Sequence, residues 1–155
     1  MTINPEFFYE LSESHRLGLI KHELLHIAFG HLIMRDLYAD KKLFNIAADL
    51  EINQYILESN LPEGGLLLSS FPELNLPKKA GTKEYYDLLQ QAKEDGTSPS
   101  LDNLMSQMDG KSPFCHGTWE EFDELPEADK KLMQKQIEHQ LKESAEQTVK
   151  KCGNI

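Results

Sequence analysis

The chain has 155 residues and a formal net charge of -10, from 16 Lys+Arg against 26 Asp+Glu. That length suits one domain with a real core, and 39% apolar with 27% charged residues is a globular composition, not a disordered one. The acidic balance excludes a general nucleic-acid binder and a protein that docks on anionic membranes, since both need a basic surface. Two cysteines, Cys115 and Cys152, are too few for a disulfide scaffold or a four-cysteine zinc site. The opening MTINPEFFYE carries no basic n-region, so a cytoplasmic location without a signal peptide is expected.

In chain order, a first helix is expected over 14–37, with Ser12 or Ser14 as cap and no proline inside. Apolar residues lie on most of its circumference, which predicts a central helix. Its apolar stretch, 17–34, is long enough to span a bilayer, but Lys21, His22, Glu23, His26 and His31 inside it rule that out. A second helix is expected over 41–58, capped by Asp40 and ended by Asn60, Pro62 and Gly64-Gly65. Ala47 and Ala48 in its middle would let another helix approach closely.

Residues 61–81 read as an ordered loop, with one short strand at Leu66-Leu67-Leu68. A third helix is expected over 82–94, with Thr82 as cap and Asp95-Gly96 as its stop. The Ser-, Gly- and Pro-rich stretch 96–118 reads as a long loop or linker. A last helix over 126–151 carries Met133, Ile137, Leu141, Ala145 and Val149 at fourfold spacing. This narrow stripe on a charged helix predicts a solvated element docking by one face.

The chemistry sits on the first helix, where residues 22–26 read His-Glu-Leu-Leu-His, an HExxH pattern. Residues four apart share a helix face, so both imidazoles can reach one metal ion, and neutral imidazole is a good zinc ligand. Glu23 follows the first histidine and so sits beside the metal rather than on it. There it can take a proton from an activated water and pass it to a leaving amine. Composition alone would yield an HExxH in about 2–3% of such chains, so the pattern is informative.

A catalytic zinc commonly takes three protein ligands, and three residues compete for the third place. His31 would point about 180° from His22 on a continuous helix and could turn back only if Gly30 breaks it. Asp49 is the better candidate: Asn45, Asp49 and Asn53 make a polar stripe at fourfold spacing among Ile46, Ala48, Ile52 and Ile56. Glu51 lies about 160° from Asp49 on a regular helix and is the poorer choice. His116, in Cys115-His116-Gly-Thr-Trp119, could supply a ligand or a donor for the reaction's oxyanion.

The run His22-Glu-Leu-Leu-His26-Ile-Ala-Phe-Gly-His31, then Arg35, then Asn45-Ile-Ala-Ala-Asp49-Leu-Glu-Ile-Asn53, resembles the metallopeptidase domain found N-terminal to VWA-like domains in bacterial and phage proteins. The resemblance covers residues 4–89 and, less closely, the His116/Trp119 segment. It implies a mainly α fold with minor β: a zincin-like core whose central HExxH helix packs on a second ligand-bearing helix. It also implies His22, His26 and Asp49 as Zn²⁺ ligands and Glu23 as the catalytic acid/base. The expected units are a metal-binding core over 1–95, a linker over 96–118 and a C-terminal helical segment over 119–155 packing on that core. The expected activity is zinc-dependent peptide hydrolysis, with a peptide or protein substrate and a VWA-like protein partner; the alternative is a catalytically silent zinc-binding or protein-interaction module. The chain has no room for a VWA-like domain, so against that pattern it reads as a short stand-alone form or a fragment.

Overall fold

The computed structural model describes residues 5–107 and 124–152. Over them the chain is a helical assembly: α1 (Pro5–Glu10), α2 (Glu13–Ala28), α3 (His31–Met34), α4 (Lys41–Asn53), α5 (Thr82–Asp95), α6 (Pro99–Gln107) and α7 (Glu127–Cys152). Single 3-10 turns stand at Arg35–Leu37, Glu58–Asn60, Leu68–Ser70 and Pro72–Leu74. There is no strand among the described residues, so the expected minor β content is not found. Leu68 opens a 3-10 turn instead of continuing a strand, tightened by Leu67 N–H donating to Ser70 Oγ at 3.0 Å. None of the described helices is long and apolar enough to cross a membrane.

The core is built around α4, not around the HExxH helix as its apolar circumference suggested. Leu43, Phe44, Ile46, Ala47, Ala48, Leu50 and Ile52 are all buried on α4. All of these but Ile52 pack in one cluster with Tyr85, Tyr86, Leu89 and Ala92 of α5, Leu101 of α6, and Phe71 and Leu76 of the intervening loop. Full burial of each large aliphatic or aromatic side chain there contributes about 1.5–3 kcal/mol. By contrast, Leu17, Ile20 and Leu24 leave one face of α2 exposed. That helix turns its other face, with Gly18, Leu19, His22, Glu23 and His26, inward.

Several boundaries differ from expectation for identifiable reasons. Ser12 caps α2 by accepting from His15 N–H, but α2 stops at Ala28 because Gly30 takes a left-handed conformation (φ 69°). Asp40 caps α4 as expected, accepting from Leu43 N–H at 3.1 Å, and α4 ends at Asn53. The cap of α5 is Gly81 rather than Thr82, whose hydroxyl is engaged elsewhere. Within the expected linker 96–118, Pro99–Gln107 is helical: Ser98 Oγ accepts from Leu101 N–H, and Leu101 is drawn into the core. Helix α1 was not anticipated; Arg16 holds it by donating to the carbonyls of Phe8 and Tyr9.

The C-terminal α7 is exposed along most of its length. Its first turns are tied to the body by Lys130 Nζ, which donates to Asp36 Oδ2 at 2.6 Å. Of the apolar stripe, Ile137 is half-buried, while Met133, Leu141 and Val149 are exposed.

Candidate metal centre

The site forms where α2 crosses α4. The i, i+4 spacing of α2 stacks the His22 and His26 rings edge to face, with centroids 4.6 Å apart. On α4 the polar stripe Asn45, Asp49 and Asn53 turns inward and is buried. Asp49 Oδ1 lies 3.0 Å from His26 Nε2 and 3.5 Å from His22 Nε2, and the two Nε2 atoms are 3.0 Å apart. His22, His26 and Asp49 are thus brought to one point, each buried. Glu23, which follows His22 on α2, is buried as well.

A tetrahedral zinc with bonds of about 2.0–2.1 Å holds its ligand atoms about 3.3–3.4 Å from one another. The three separations here bracket that value, and two imidazoles with a carboxylate are a donor set zinc accepts. The set therefore fits such an ion. His22 is oriented for it, because its Nδ1 donates to Asn53 Oδ1 at 2.8 Å, which turns the Nε2 lone pair to the site. Asn53 is fixed in turn by donating from Nδ2 to the Leu66 carbonyl at 2.8 Å. The loop after α4 thereby steadies a ring on α2.

His31 does not join this group. The Gly30 break lets it turn back toward His26, but it meets the far nitrogen: His31 Nδ1 lies 2.9 Å from His26 Nδ1. Its Nε2 lies 3.0 Å from Glu51 Oε2 and 2.9 Å from Thr82 Oγ1. Burial pushes the Glu51 carboxyl up, but hydrogen bonds from His31 and Thr82 outweigh it and hold the group below the ordinary glutamate value. Glu51 and Thr82 were passed over in the sequence, one for its angle from Asp49 and the other as a helix cap. The available signal was a glutamate in the middle of a buried apolar helix, which demands a partner. His116, with Cys115 and Trp119, lies outside the described residues.

Next to the site, a cleft of about 300 Å³ opens between the end of α2, α3 and α7. His26 borders it, and Phe29, Leu32, Met34, Ile137 and Leu141 give it apolar walls.

Helices that carry a buried His/His/Asp group of this geometry define a helical domain able to hold a metal ion. The chain belongs to the family described as "putative metallopeptidase domain", whose model matches residues 1–154. No curated protein and no solved structure is significantly similar to the chain.

Proposed function

We propose that the chain is a zinc-dependent metallopeptidase in which His22, His26 and Asp49 hold the ion. The carrying observation is the HExxH helix meeting a carboxylate from α4 within ligand distance of both histidines. When bound, zinc supplies Lewis acidity that polarises a peptide carbonyl and makes water acidic near neutral pH. Glu23 takes the proton of the attacking water and hands it to the departing amine, the role that the glutamate of an HExxH pattern has in such chemistry. Asn53 orients His22, so its amide acts on the ligand rather than on the substrate. We assign His116 to the oxyanion, and to the apolar cleft beside His26 an apolar side chain of the peptide. A cytoplasmic enzyme working beside a VWA-like protein partner is the setting this reading implies.

The burial of all three proposed ligands favours one second reading, a zinc-holding interaction module that does not cleave. Metal analysis and a casein-type substrate separate the two. The peptidase reading expects one zinc per chain, lost in His22→Ala and kept in Glu23→Gln, with cleavage lowered about 10²–10⁴-fold in Glu23→Gln. Zinc binding without any cleavage supports the silent module. Cleavage unchanged in Glu23→Gln removes the proposed role of that residue.

A further inference from the structure

We propose that His31 and Thr82, both buried, and the half-buried Glu51 form a relay that sets the tautomer and orientation of His26 for metal binding. This rests on the reading of His26 as a ligand. The relay follows from counting protons. His31 Nε2 faces two atoms, Glu51 Oε2 at 3.0 Å and Thr82 Oγ1 at 2.9 Å. The carboxylate can only accept. The Thr82 hydroxyl donates its one proton to Glu51, so toward His31 it offers a lone pair. Both neighbours of His31 Nε2 are acceptors, and that nitrogen must carry the proton.

A neutral His31 with its proton on Nε2 has a lone pair on Nδ1. The atom 2.9 Å from that lone pair is His26 Nδ1, which must then be the donor. With its proton on Nδ1, neutral His26 presents a lone pair at Nε2, toward Asp49 Oδ1 and His22 Nε2. The direction of every bond, from Glu51 through His31 to His26, is thus set by the carboxylate at the far end. Carboxylate–histidine–metal chains are known to fix ring orientation and raise ligand basicity; here a second imidazole is inserted between carboxylate and ligand.

The surroundings hold this line in place. Phe29 stacks on the His31 ring at 5.8 Å between centroids with 24° between planes, and Phe44 meets it edge-on at 6.1 Å. The backbone N–H of Thr82 donates to Glu51 Oε2 at 3.1 Å, so the start of α5 clamps the carboxylate. The position of Glu51, on the opposite side of α4 from Asp49, becomes intelligible: one face of α4 offers the ligand, and the other orients the ligand on α2. His22 is oriented by a different group, Asn53, so the two histidines can be perturbed separately.

Two measurements test the relay. Zinc affinity, read by chelator competition, is expected to fall ten- to a hundredfold in Glu51→Gln and in Thr82→Val, the usual size for losing an outer partner of a metal ligand. Thr82→Ser, which keeps the hydroxyl, should stay near wild type. In the zinc-loaded wild type, ¹⁵N-detected imidazole spectra should show His31 protonated on Nε2 only. A folded Glu51→Gln protein with wild-type zinc affinity would overturn the proposal, and so would a His31 proton on Nδ1. Should Glu51→Gln fail to fold, the wild-type spectrum decides alone. A wild-type protein that takes up no zinc would overturn the ligand reading and the relay with it, a result distinct from normal zinc binding that ignores Glu51.

Discussion

Replacing Gly18 by alanine pits two effects of opposite sign against each other. Gly18 lies inside α2, one turn before His22, where glycine is the poorest helix former after proline. By propensity alone Gly18→Ala should stabilise the helix by about 1 kcal/mol. The structure says otherwise: a Cβ at position 18 would fall 1.8 Å from the Asn60 carbonyl oxygen and 2.6 Å from its carbon. Reaching even a strained contact of 3.0 Å requires α2 and the Glu58–Asn60 turn to part by about 1 Å. Both contacting atoms are backbone, so no side chain can swing aside. Overpacking of this kind costs about 1–3 kcal/mol, and with a backbone obstacle the upper end applies. The net result is a loss of about 1–2 kcal/mol, or roughly 3–7 °C in melting temperature for a chain of this size. Thermal melts followed by circular dichroism, with chelator present so that metal does not contribute, read this directly. A Gly18→Ala protein that melts at or above the wild-type temperature would show that α2 does not approach the 58–60 turn so closely.

Other outcomes follow from single residues. Gly30→Ala should lose about 1 kcal/mol in the same melt, because φ 69° is strained for alanine although nothing lies within 4 Å; Gly30→Asn should lose less, since asparagine enters this region more readily. Asp40→Ala should cost about 1 kcal/mol by removing the cap of α4. Burial pushes the Asp40 carboxyl up, but the Lys93 ammonium at 2.7 Å and the Leu43 N–H outweigh it and lower its pKa. A lowered pKa means that Asp40 stabilises the fold above its unfolded value, and that this is lost as pH falls through the folded value. Urea titrations from pH 6 down to pH 2.5 should therefore show a shallower acid loss in Asp40→Ala than in wild type; equal slopes would contradict the pairing.

The parts of this architecture that were legible in the sequence are those set by local rules. Asp40 and Ser12 announced their helices because a side-chain oxygen ahead of a helix has one obvious use. The fourfold spacing of His22 with His26, and of Asn45, Asp49 and Asn53, marked two faces, and those faces meet. What escaped depended on contacts distant in sequence. Apolar residues on most of the circumference of the helix expected over 14–37 suggest a central helix, yet periodicity cannot tell which of two apolar helices owns the core, and α4 does. Pro99 looked like a loop residue, although proline at the first helical position fits, and it is the burial of Leu101 that makes the segment worth ordering. Glu51 was set aside because its angle from Asp49 is right for a regular helix. Its connection to the site runs through His31, on another element 20 residues earlier. Thr82 was read as a cap, while its hydroxyl serves Glu51 and His31 instead.

The proposed metal centre joins two histidines of α2 to Asp49 of α4. Zinc-edge X-ray absorption on protein loaded with one equivalent of zinc tests it most directly. The expected spectrum has two imidazole nitrogens and oxygen ligands at about 2.0–2.2 Å, no sulfur shell near 2.3 Å, and loses an oxygen or the ion itself in Asp49→Ala. A sulfur shell, or a spectrum and stoichiometry unchanged by Asp49→Ala, would place the zinc elsewhere and contradict the assignment.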